Sequence, residues 1–241
     1  MEREVRTWWS PTVGREMGVA RYGHYGKPVV FFPTGGGDYL DCERFLMVKA
    51  LAPLIDAGRI KLYAVDSANQ QSWMNADVAP TAKSAMQARY DAWLTDELAP
   101  FIRSDCGGTD QRFAACGASI GGYHALNVTC KHPDVFDTMV GMSGTYVMER
   151  RMAGQWDENW YYNDPVQFVP NLSAEDRARL GGARFVFGLG QAHENPAYTW
   201  RVANLLGAGG YWNRVEVWGE GSGHDWPTWR TMLPMFLDRL V

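Results

Sequence analysis

Cysteine is scarce in this chain. The four present, Cys42, Cys106, Cys116 and Cys130, form no CxxC pair and no Cys/His spacing of a metal site. Neither a disulfide scaffold nor a zinc module is expected, and the metal complement is expected to be none. Long apolar runs are also missing. Residues 29–33 and 185–189 are strand-sized, far short of the ~18 residues of a membrane span. The first ten residues, MEREVRTWWS, are charged and then aromatic, without the apolar core of a signal peptide. A reducing, cytoplasmic setting is therefore expected. Positive charge is not in excess: 23 Lys and Arg against 27 Asp and Glu give a net charge of −4. That excludes the basic footprint of a nucleic-acid binder. No repeat, linker or low-complexity segment divides the 241 residues, so a single domain over 1–241 is expected.

What the chain does contain is an alternation. Strand-like runs at 27–34, 61–66, 112–116, 136–142, 184–189 and 214–218 are separated by helical patterns at 43–57, 85–102, 120–132 and 198–206. A last helix is expected over 229–240. Strands separated by helices indicate a parallel sheet covered on both faces, with chemistry at the carboxyl ends of the strands. Residues 146–174 break the alternation and carry Trp156, Trp160, Tyr161, Tyr162 and Phe168. This stretch is expected to be a cap or lid with some helix of its own.

Gly117-Ala118-Ser119-Ile120-Gly121-Gly122 follows an apolar strand and opens a helix, the context of a nucleophile elbow. A serine on so tight a turn needs absent side chains two residues to either side, which Gly117 and Gly121 supply. The helix start favours an oxyanion, with the Ile120 N–H as one donor. Serine also needs a base. Of five histidines, His224 follows the last strand, in Gly221-Ser222-Gly223-His224-Asp225-Trp226. That position matches the hydrolase order Ser, acid, His. Glu194 is the sole carboxylate in the loop after 184–189, and is the expected acid; Glu220, Asp164 and Asp225 are its rivals. The loop after 27–34 offers Gly35, then Gly36, as second oxyanion donor. Asp38, Trp226 and Trp160 are candidates for lining the substrate site, with Trp73, Trp156 and Tyr146 as further apolar candidates.

The segments PVVFFPTGGGD, DELAPFIRSDCG, CGASIGGYHAL, HPDVFDTMVGMSGTY and GHDWPTWRTMLPMF carry a resemblance. Over about residues 26–240 the chain resembles esterases of the α/β-hydrolase fold, in the branch of esterase D, bacterial mycolyltransferases and polyhydroxyalkanoate-depolymerase-like esterases. The resemblance implies a mostly parallel sheet of about eight strands and hydrolysis or transfer of an acyl group. It departs from that branch at Pro33-Thr34, where many relatives have His-Gly, and at His193-Glu194, where Asp is commoner. The expected activity is a serine carboxylesterase with triad Ser119, His224 and Glu194, no cofactor and a small-molecule ester as partner. An acyltransferase using the same triad and a non-catalytic binding protein on this fold are the alternatives.

Overall fold

The computed structural model describes residues 1–191 and 195–241. Eight strands form one sheet: β1 (Arg3–Ser10), β2 (Arg15–Tyr22), β3 (Lys27–Phe32), β4 (Ile60–Val65), β5 (Phe113–Ala118), β6 (Phe136–Met142), β7 (Arg184–Leu189) and β8 (Asn213–Val217). Their spatial order is β1-β2-β4-β3-β5-β6-β7-β8. From β4 to β8 every neighbouring pair is parallel, whereas β1 and β2 form an antiparallel edge. The parallel strands read as near-continuous Val, Ile, Phe and Ala because both faces are covered.

The described helices are α1 (Asp41–Arg44), α2 (Met47–Asp56), α3 (Pro80–Trp93), α4 (Ala99–Asp105), α5 (Ile120–Lys131), α6 (Glu158–Tyr161), α7 (Pro165–Phe168), α8 (Ala174–Leu180), α9 (Ala197–Ala208) and α10 (Trp226–Leu240). Two apolar cores flank the sheet. One gathers Val30, Phe32, Trp93, Leu98, Leu126, Phe185 and Phe187 under α3, α4, α5 and α9. The other gathers Val29, Phe31, Leu51, Val140, Leu233 and Phe236 under α2 and α10.

Two expectations are refined and one element is new. The helix expected over 43–57 is two, because Leu46 takes φ 62° and ends α1. The helix over 85–102 contains a widened π turn at Leu94–Leu98. The hairpin β1–β2 was not anticipated: its first strand is charged and largely exposed, so it lacks the buried alternation that marks a strand. Residues 146–174 form short helices and turns that pack mainly on α3, α5 and α9.

Candidate active site

The site is built where three parallel strands end together. Ser119 follows β5 directly, at φ 56° and ψ −124°. A non-glycine residue held there costs about 1–3 kcal/mol, so its surroundings must enforce it. They do. The Ser119 N–H donates to the Met142 carbonyl at the end of β6 (3.0 Å), and the Ser119 carbonyl accepts from Gly122 and Thr145 N–H (both 3.1 Å). The glycine spacing has the steric cause the sequence suggested. A Cβ on Gly117 would lie 2.5 Å from the Gly121 backbone, and one on Gly121 would lie 2.4 Å from the Phe32 carbonyl oxygen. Either substitution pushes backbone against backbone.

Ile120 opens the twelve-residue helix α5, so its N–H has no partner within that helix. The loop after β3 reaches the same cleft as Ser119 through Thr34. Asp41, buried at the start of α1, accepts from the Thr34 N–H (3.1 Å) and the Thr34 hydroxyl (2.9 Å). Gly37 leaves room for that carboxylate, since a Cβ there would sit 1.9 Å from Asp41 Oδ2. The Gln70 amide donates to the Gly35 carbonyl (2.8 Å). With Thr34 N–H consumed by Asp41, the N–H groups of Gly35 and Gly36 are those left at the loop tip among the described residues. The sequence pointed to this loop through its glycines. It missed Asp41, which reads as an ordinary first-turn helix acid.

His224 stands on the turn between β8 and α10. Its ring meets Trp229 edge-on, 5.1 Å between centroids. The Trp229 indole N–H donates to the Ser143 hydroxyl (2.9 Å), and the Ser143 N–H donates to the Gly188 carbonyl (2.8 Å). Ser143 is itself at φ 49°, directly after Met142, whose carbonyl holds Ser119. The ends of β5, β6 and β7 and the start of α10 are thus tied together beneath the serine and the histidine. Partial burial pulls the His224 pKa below the ordinary imidazole value, opposed by the charge on Asp225.

Ser119 and His224 line one open cleft of about 600 Å³ with Thr34, Phe45, Trp226 and Trp229. Its apolar wall is a ring stack: Phe45 lies parallel to Trp226 at 4.7 Å, and Trp226 meets Trp229 at 5.3 Å. Trp226 was anticipated from the sequence. Phe45 was not, because a continuous helix over 43–57 hides the break that turns it outward. A larger cleft, about 730 Å³, lies at the amino ends of β3 and β4, beside Lys27 and Lys61, away from this chemistry.

Other expected residues are placed as follows. Gly36 lies at the exposed loop tip, with no heavy atom within 4 Å of a Cβ built on it. Asp38 is engaged by Arg44 (2.7 Å) and by the Leu40 N–H (2.7 Å), and does not line the cleft. Trp160 is buried with Trp73, Ile120, Tyr123, Met148 and Met152 beneath the elbow and is not among the residues lining the cleft. Its indole N–H donates to Asp164 (3.0 Å), which fixes the ring inward. Trp73 and Tyr146 are fully buried and Trp156 is exposed. Glu194 lies outside the described residues. Of its rivals, Asp225 caps α10 by accepting from the Thr228 N–H (2.9 Å), Asp164 is buried at the start of α7, and Glu220 is exposed.

An elbow serine on a mostly parallel eight-stranded sheet defines a hydrolase of the α/β class, and the comparisons agree. Residues 10–240 match the family described as Putative esterase. The chain belongs to this esterase family and is a carboxylic ester hydrolase. Among solved structures, a ferulic acid esterase superposes at TM-score 0.75 and 16 % identity, covering 100 % of this chain and 99 % of its own. MPT51 of Mycobacterium tuberculosis superposes at 0.74 and 18 % identity, covering 100 % and 98 %. An S-formylglutathione hydrolase of Agrobacterium tumefaciens superposes at 0.70 and 16 % identity, covering 99 % and 92 %. At these identities the likeness establishes the α/β-hydrolase fold. No curated protein matches the chain by sequence.

Proposed function

We propose that the protein is a serine carboxylesterase that works through an acyl-enzyme, with Ser119 as nucleophile, His224 as base and Glu194 as acid. The observation that carries the reading is the enforced strain at Ser119, on a wall shared with His224 in one cleft. As the Ser119 oxygen bonds the ester carbonyl carbon, its proton passes to a His224 ring nitrogen. The carbonyl oxygen becomes an oxyanion facing the Ile120 N–H and the Gly35 or Gly36 N–H. The C–O bond to the alcohol then breaks, and the alcohol leaves with the proton held by His224. Water repeats the sequence on the acyl-enzyme and regenerates Ser119. Glu194 fixes the imidazole tautomer and balances the imidazolium charge. That role is favoured because Asp225 and Asp164 are committed to helix caps.

Segment 146–174 acts in this reading as a cap fixed against α3 and α5, with Trp160 anchoring it. A cytoplasmic setting suits the free cysteines, of which Cys42, Cys116 and Cys130 are buried. The test is covalent labelling. A fluorophosphonate is expected to modify the folded protein at Ser119, and Ser119→Ala to abolish both labelling and ester hydrolysis. His224→Ala and Glu194→Gln are expected to lower kcat by on the order of 10⁴–10⁶ with the fold retained. A folded wild-type protein that hydrolyses esters without being labelled at Ser119 overturns the assignment.

A further inference from the structure

A second cleft, of about 400 Å³, is lined by Trp73, Met74, Lys83, Arg150 and Arg151 among others. It adjoins the reaction centre through two of those residues. The Met74 side chain packs against Gly35, 3.1 Å from a Cβ built there, and Trp73 belongs to the buried cluster beneath Ile120. The cleft's charge is one-sided: Lys83, Arg150 and Arg151 line it, and no carboxylate does among the described residues. The nearby acids are occupied elsewhere or stand apart. Glu149 pairs with Arg201 (3.5 Å), and Asp157 is held by the Ser84 hydroxyl (2.7 Å) and the Trp160 N–H (2.7 Å). Asp77, on the adjoining loop, lines no part of the cleft. Three cations without a counter-charge are unexpected on a chain of net charge −4.

The two arginines are also held. The Arg151 guanidinium donates to the Trp73 carbonyl, a neutral acceptor, and burial pulls its pKa down with no acid to offset it. Arg150 lies over the Tyr198 ring, 5.8 Å from its centroid. Lys83 projects from α3, and the two arginines from the turn at Glu149–Met152, so the charges approach from two elements. A cationic recess walled by Met74, Ala76 and Val78 suits a chain whose methylenes lie on the apolar part and whose anionic end meets the cations.

Resting on the esterase reading above, we propose that this cleft binds the anionic end of the substrate, so that the preferred ester carries a carboxylate or phosphate on one arm. The probes are the mono(4-nitrophenyl) ester of suberic acid, the matching ester with a terminal phosphate, and the neutral methyl diester. For the wild type, kcat/KM is expected to favour an anionic ester over the neutral one by about tenfold or more, the better of the two naming the group. The preference is expected to shrink as salt is raised. In Lys83→Ala/Arg150→Ala it is expected to fall to about threefold or less, with turnover of the neutral ester retained. Neither side chain holds the backbone, and Arg151 is left in place because it does.

The same three probes are titrated onto Ser119→Ala, which reads binding without turnover. Equal Kd values for anionic and neutral esters, unmoved by the double substitution, overturn the proposal. Turnover of all three without preference overturns it while leaving the esterase reading intact. Anion-selective binding to Ser119→Ala, lost in the double substitution, with no hydrolysis by the wild type, supports the cleft and rejects the esterase reading.

Discussion

At the scale of single residues, Asp164 shows how a buried carboxylate couples segment 146–174 to pH. It is fully buried at the start of α7, where it accepts from the Trp160 indole N–H (3.0 Å) and the Val166 N–H (3.4 Å). Burial outweighs these bonds and pushes its pKa up to about 6 from 3.8. The folded state therefore holds this proton more tightly than the unfolded chain does. The resulting stability is fully present below pH 3.8 and is lost as the pH rises through 6. Asp164→Asn keeps an acceptor for the closer donor, the Trp160 indole N–H, gives up the 3.4 Å bond from Val166 and removes the titration. Its stability relative to wild type is expected to rise between pH 4 and pH 7 by up to about 3 kcal/mol, the linkage limit for a shift of this size. Urea unfolding of both proteins across that range checks it, and a pH-independent difference sinks it.

At the scale of elements, the edge hairpin and the interrupted helix explain each other. Glu97 sits in the π turn between α3 and α4, where it accepts from the Trp8 indole N–H (2.8 Å) and the Ser10 hydroxyl (2.7 Å) of β1. Trp8 also stacks on Trp93 at 5.8 Å, one residue before the π turn begins. Glu97→Ala leaves those two donors without their acceptor and is expected to cost about 1–3 kcal/mol. Urea unfolding reads the loss, and amide exchange in β1 is expected to quicken before that in β5; uniform exchange rules this anchoring out.

This pair also shows what was legible beforehand. The parallel strands could be read because burial on both faces writes itself as unbroken apolar runs. The elbow could be read because Gly117 and Gly121 answer a steric demand local to six residues. The hairpin could not, since β1 is a largely exposed edge strand held by its ladder to β2 and by Glu97, nearly ninety residues away, and carries no buried alternation of its own. Phe45 was hidden by the backbone reversal at Leu46, which no residue preference announces. The burial of Trp160 was not legible because an aromatic residue in a weakly periodic segment reads alike whether it is exposed in a cleft or packed inside. Asp41 gave no signal because its partners, Thr34 and Gly37, come together only when the loop closes on it.

At the scale of the whole molecule, the question is whether 146–174 can move as a unit. Its apolar residues do not form a core of their own. Tyr146, Val147, Val166, Phe168 and Val169 belong to the same buried cluster as Phe32, Trp93, Leu126 and Phe187, which is the core on one face of the sheet. Met148, Met152 and Trp160 pack with Trp73, Ile120 and Tyr123 under the nucleophile. Opening the segment would expose both clusters, and at about 25 cal/mol per Å² of apolar surface a few hundred Å² already costs several kcal/mol. The segment is therefore expected to unfold with the sheet. In urea, the tryptophan signal, drawn partly from Trp156 and Trp160, is expected to share one midpoint with the far-ultraviolet helical signal, and labelling of Ser119 to fail at that same midpoint. An earlier tryptophan transition, with the helical signal still native, would identify a separately melting segment and overturn this prediction.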